Sequence, residues 1–132
     1  MQEKFKIFAE FIKDLSSETK DLETYLHVKE NLKNYNLNIE ISSKPLKNRF
    51  IEVNTKLTYK DKNESRNKSF FEITYASIVK VDEKIEDRKE IEKIILCDVQ
   101  NKIYPNLEKS FLNLMHNSGH PDVKIEKKID FN

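Results

Sequence analysis

The chain has 132 residues, 36 % of them charged, with 24 Lys and Arg set against 23 Asp and Glu and a formal net charge of +1. That length makes one domain with enough chain to bury a core, and the interspersed, nearly cancelling charges lack the basic patch of an electrostatic nucleic-acid binder. One glycine excludes the Gly-rich loops that cradle phosphates, and one cysteine, Cys97, excludes an internal disulfide and fits a reducing compartment.

The N-terminus "MQEKFKIFAEF" sets Lys and Glu between its apolar residues and lacks the apolar core of a signal peptide. No apolar run approaches the length of a membrane span. The expectation is a cytoplasmic protein without membrane insertion. Eight Phe and five Tyr argue against a disordered chain.

In the first predicted strand Phe5, Ile7, Ala9 and Phe11 share one face, with Phe8 and Ile12 on the other. The link from about Leu15 to Asn34 is too long for a hairpin. Within it, "DLETYLHVKENL" puts Leu22, Tyr25 and Leu26 at helical spacing and predicts a short helix. The second strand, "YNLNIEI", alternates Tyr35, Leu37, Ile39 and Ile41 with polar residues. The third alternates Ile51, Val53, Leu57 and Tyr59 with Glu52, Asn54, Lys56 and Thr58. In the fourth, "SFFEITYASIVKV", Phe71, Ile73, Tyr75, Val79 and Val81 fall on one face and Phe70, Glu72 and Thr74 on the other. The links "SSKPLKN" and "DKNESRN" are turn-like, so strands two to four form a meander. The long crossover brings strand one beside strand four, a Greek key.

After Val81 the apolar period becomes helical: Ile91, Ile94, Ile95 and Cys97, then Leu107, Phe111, Leu112, Leu114 and Met115. This predicts two consecutive helical pieces, or one long helix broken near Asn101 to Pro105, since Pro105 suits a first turn. Gly119 and Pro121 form the stop. The class is α+β, with residues 1–132 as one domain. Leu107, Phe111 and Leu114 lie on one side of the last helix and Leu112 and Met115 on another. One sheet cannot cover both sides, which predicts self-association.

The reactive residues do not converge. His27, His116 and His120 are scattered; the last two could meet across a helix end but lack a third ligand, and read as surface histidines favoured by the helix dipole. Cys97 sits on an apolar stripe and reads as core. The carboxylates are interleaved with lysines, as on a solvated face. No catalytic residue, metal site or cofactor is predicted, and the chain reads as a non-enzyme. The sheet's charged side is studded with Phe8, Ile12, Phe50, Phe70 and Ile78, a composition that suits a protein-binding surface.

Four stretches carry a family resemblance. "FIKDLSSE", from Phe11 to Glu18, resembles an aromatic-x-Lys-Asp-[Ile/Leu]-Ser-x-Glu strand end. "SFFEITYASIV" resembles a strand motif with an apolar residue two before a Glu. "IYPNLEKSFLNLM" resembles a hydrophobic-aromatic-Pro helix start, and "GHPDVKIEKKIDF" the exit from that helix. In this order, spanning Phe11 to Phe131, they resemble the SecB family of protein-export chaperones.

The resemblance implies a four-stranded antiparallel Greek-key sheet with the C-terminal helices on one face, assembled as a dimer of dimers, a homotetramer. It implies an ATP-independent holdase that binds unfolded preproteins and passes them to the ATPase SecA. The family's SecA-docking patch corresponds to Asp14, Glu18, Phe70 and Glu72. Candidate client-groove residues are Leu22, Tyr25, Leu26 and Val28 in the crossover, with Ile125 and Phe131 after the helix. "CDVQNKIYPNLEK" lacks the family's Cys-Pro and its Tyr-x-Arg. Two alternatives stay open: a SecB-like chaperone dedicated to a toxin–antitoxin pair, and an adaptor that binds one folded partner.

Overall fold

A computed structural model describes residues 4–62, 69–125 and 129–131. Strand β1 (Phe5–Ser17) leads into helix α1 (Leu22–Asn31) and a 3-10 turn (Leu32–Asn34). Strand β2 (Tyr35–Pro45), a second 3-10 turn (Lys47–Arg49), β3 (Phe50–Asp61) and β4 (Phe71–Val81) follow. The chain then forms α2 (Arg88–Lys93), a π-helical turn (Ile94–Asp98) and α3 (Val99–Asn117). The four strands lie in the order β1-β4-β3-β2 with every pair antiparallel. The Greek key, the crossover helix and the α+β class are as the sequence predicts. The link "DKNESRN" falls mostly on residues 63–68, outside the described residues.

Strands β2 to β4 keep the two-residue period. Phe71, Ile73, Tyr75, Ser77, Val79 and Val81 are buried on β4, as are Val53, Thr55 and Leu57 on β3. Helix α3 covers this face with Val99, Ile103, Tyr104, Leu107, Phe111 and Met115. Gln100 is buried with them and is fully hydrogen-bonded. Its Nε2 donates to the Ile95 carbonyl at 3.2 Å, and its Oε1 accepts from Thr55 Oγ1 at 2.9 Å.

Strand β1 departs from the prediction. Phe5 and Ile7 oppose Val81 and Val79 on the helix side, but the register slips between Ile7 and Ala9 and again between Ile12 and Asp14. Each bulge inserts one unopposed residue and moves every later side chain to the other face. Ala9 and Phe11 therefore oppose Ile78 and Ala76 on the outer face, whereas Glu10 and Ile12 oppose Ser77 and Tyr75 on the helix side. The hydrogen bonds agree: Tyr75 Oη and, from α3, Asn106 Nδ2 donate to Glu10 Oε1 at 2.9 and 3.0 Å. Phe11 is thus an outer-face residue, and Ile12 is not.

The helix does not break at Pro105. Helical backbone runs on from Arg88 to Asn117, the irregular turn is Ile94–Asp98, and Pro105 lies inside α3. An interior proline costs about 3 kcal/mol by losing one backbone bond and crowding the preceding turn. Ile103, Leu107, Phe111 and Met115 are fully buried around it, and each contributes roughly 1.5–3 kcal/mol. Burial outweighs the proline.

Candidate partner-binding surfaces

The four docking candidates lie near one end of the sheet, Asp14 and Glu72 on its outer face and Glu18 and Phe70 just beyond the strand ends. Asp14 opposes Thr74, and Ser16, whose hydroxyl donates to Asp14 at 3.1 Å, opposes Glu72. Glu18 follows β1, and its carbonyl accepts from Ser69 Oγ at 2.9 Å, which brings it beside Phe70. Phe70 precedes β4 and is 42 % exposed.

This end is mixed in charge rather than uniformly acidic. Lys56 pairs with Glu72 at 3.2 Å, and Lys13 pairs with Glu52 at 2.6 Å. Hydrogen bonds from Lys13 and Asn54 hold the Glu52 carboxyl below the usual carboxylate range. A cleft of about 770 Å³ on this face is lined by Lys13, Asp14, Glu40, Ser42, Lys56 and Thr74. At the opposite end Phe8 meets Phe50 edge-on at 5.1 Å, and Lys6 and Lys80 lie 5.5 and 5.4 Å from the two ring centres.

The groove candidates divide. Asp21 caps α1 by accepting from the Thr24 backbone N–H at 2.8 Å, and the helix displays Leu22, 70 % exposed, and Leu26. Tyr25 turns inward: its hydroxyl donates to the Gly119 carbonyl at 2.8 Å, and its ring stacks on His120 at 5.2 Å. Val28 is wholly buried and touches no surface. It lies three residues after Tyr25, on the side by which α1 must pack. Ile125 lines a cleft of about 780 Å³ with Tyr35, Leu37, Tyr59, Phe111 and Ile129. Phe131 is elsewhere, its ring 5.4 Å from that of Tyr104. The sequence places Leu37 and Tyr59 on the apolar faces of their strands without singling them out for a groove; in the fold β2 has only β3 beside it.

The Ile125 cleft runs along β2, an edge strand of the sheet. An edge offers unpaired backbone donors and acceptors to an extended peptide. On the other edge strand, β1, Ile12 and Leu15 face the helix side yet stay exposed. His120 corrects the sequence reading as well. It is only 4 % exposed, between Tyr25 and the edge of the Phe71 ring at 6.0 Å. Burial, then the Lys29 charge, lowers its pKa from the ordinary histidine value. Among the described residues no group of three or more His, Cys, Asp or Glu could hold a metal ion, and no helix is long and apolar enough to cross a membrane.

Exposed leucines and an apolar cleft lie beside an open strand edge on a small α+β scaffold, the architecture of a SecB-like fold. The particular family is shown by comparison: the chain belongs to the SecB family, matching the model for "Preprotein translocase subunit SecB" over residues 1–132. It is 60 % identical over 131 residues to the "Putative protein-export protein SecB" of Pelagibacter ubique (strain HTCC1062), covering 99 % of this chain and 94 % of that protein. Its fold is similar to that of the Mycobacterium tuberculosis Rv1957 SecB-like chaperone, solved in complex with a ChAD peptide from the Rv1956 HigA1 antitoxin. The TM-score is 0.71 at 10 % identity, over 96 % of this chain and 91 % of that one.

Proposed function

We propose that this protein is an ATP-independent cytoplasmic holdase, without catalytic activity, that binds unfolded preproteins and delivers them to SecA. The observation that carries this reading is the apolar cleft at Tyr35, Leu37, Tyr59, Phe111, Ile125 and Ile129 along the β2 edge. A client strand laid there gains backbone hydrogen bonds from the edge and buries alternate side chains in the cleft. Such burial is non-directional and tolerant of sequence. Folded proteins hide the segments it needs, so unfolded chains are selected and held by mass action. Leu22 and Leu26 extend the apolar surface. Asp14, Glu18, Phe70 and Glu72 form the SecA-docking end, and the exposed Ile12 and Leu15 supply surface for a dimer of dimers.

The test is refolding of a slow-folding client with and without the protein. A holdase delays refolding without ATP, and an unchanged refolding rate refutes the reading. A second reading, a chaperone dedicated to one antitoxin, draws support from Lys13 and Lys56 on the docking face, which dilute its acidity. Preference for a single partner over a panel of unrelated unfolded proteins would distinguish it.

A further inference from the structure

The crossover helix meets the segment that follows α3 through Tyr25. Tyr25 Oη donates to the Gly119 carbonyl at 2.8 Å, and the Tyr25 and His120 rings stack 19° from parallel. The approach is so close that a Cβ on Gly119 would stand 2.6 Å from Tyr25 Cε1, and Gly119 adopts φ +91°. The Phe71 ring, from β4, lies 6.0 Å from the imidazole and nearly perpendicular to it. Neither ring nitrogen of His120 has a hydrogen-bond partner among the described residues.

We propose that Tyr25, Gly119 and His120 form a proton-sensitive latch: the neutral imidazole holds α1 against the end of α3, and its protonation releases α1 with the exposed Leu22 and Leu26. The neutral ring suits a buried site in contact with two aromatic rings. The imidazolium would bury a charge and a second unpartnered N–H there, a cost that grows with desolvation. Stacking on Tyr25 offers some cation–π attraction, but no acceptor stands at either nitrogen. One nearby charge also opposes protonation. From α1, Lys29 repels an imidazolium. From β4 the contact is the Phe71 ring. On the α3 side, His116 and Asp122 are exposed.

The sign follows from linkage. The folded-state pKa is lowered relative to the unfolded chain. The stacked state is therefore fully stable above the ordinary histidine pKa of about 6.5, and loses stability as pH falls from there through the folded value. The latch stands on geometry alone; its consequence for clients rests on the reading of α1 as a client-binding element.

Hydrogen exchange of the α1 amides in the full chain, corrected for intrinsic rates, reads the latch. Protection should fall between about pH 7.5 and about pH 5.5, by up to about tenfold for a single histidine. His120→Phe keeps the stacked ring without a titratable group and should abolish that fall, whereas His27→Gln and His116→Gln should retain it. An NMR titration of the His120 ring in the unaltered chain needs no variant. Titration at or above the ordinary histidine value overturns the latch, as does pH-independent protection, or a fall that survives in His120→Phe. Client affinity is measured in parallel. If α1 loosens and affinity is unchanged, the latch stands and the client role of Leu22 and Leu26 fails; if affinity changes while α1 stays protected, the latch is wrong.

Discussion

Thr55 Oγ1 donates to Gln100 Oε1 across 2.9 Å, and both residues are fully buried. This bond ties the middle of β3 to the first turn of α3. Through Gln100 Nε2 it also supplies a donor to the Ile95 carbonyl in the π-helical turn. Gln100→Ala should cost about 2–4 kcal/mol, because it opens a cavity and leaves the Thr55 hydroxyl unpaired. Replacing both partners, Thr55→Val with Gln100→Leu, should cost less, since no orphaned hydroxyl remains. Urea denaturation at one protein concentration compares the two. Equal losses would show that volume, not the hydrogen bond, is what matters.

Gly119→Ala should destabilise the fold by roughly 1–3 kcal/mol. Positive φ is strained for a residue with a Cβ, and here that Cβ also meets the Tyr25 ring. A thermal melt measures the loss. Tyr25→Phe, which removes only the hydroxyl bound to the Gly119 carbonyl, should cost about 1 kcal/mol. A melt of Gly119→Ala indistinguishable from that of the parent chain would mean α1 can move away freely.

Asp14→Lys combined with Glu72→Lys should abolish SecA binding while client holding persists. The change reverses both signs at one end of the outer face and leaves Lys56 without its partner. The lost ion pair is partly exposed, Lys56 more than Glu72, and is worth about 1 kcal/mol, so the fold survives. Phe70→Ala should weaken SecA binding by roughly 1–2 kcal/mol if the ring is a central anchor. It should barely shift the melting temperature, because that residue is 42 % exposed and outside the core cluster. Titration calorimetry beside thermal melts tests both halves, and equal SecA binding by all variants would remove this role from the patch.

Ile12→Glu with Leu15→Glu should lower the oligomeric mass. These side chains face the helix side of the edge strand β1 but are left uncovered by their own chain, and a symmetric partner is the common way to bury such surface. Light scattering should find a tetramer for the parent chain and a smaller species for the double variant. A monomeric parent at micromolar concentration would refute the self-association.

Much of the architecture was legible because it rests on local periodicity. The alternation in "YNLNIEI" and "SFFEITYASIVKV", the length of the crossover and the helical spacing after Asp87 are properties of short windows. They settled the strands, their faces on β2 to β4, and the α+β class. The ordered stretches from "FIKDLSSE" to "GHPDVKIEKKIDF" pointed to the SecB family, and the docking candidates at Asp14, Glu18, Phe70 and Glu72 do meet at one end of the sheet.

Tertiary structure decided what depends on the partner opposite. The bulges of β1 exist only in its pairing with β4; they send Phe11 outward and Ile12 inward, although the residue string alternates on unchanged. Pro105 stays inside α3 because apolar burial against the sheet exceeds the local cost of the proline, a balance invisible in a helical window. His120 is buried where Tyr25 of α1 reaches the segment after α3, a contact between residues roughly ninety apart in the chain, like the Tyr25–Gly119 bond. Val28 of the same helix is buried in the core. Composition and periodicity marked which residues could face a core. Only the packed chain decided which of them remained outside it, since exposure belongs to the arrangement of neighbours and not to the residue.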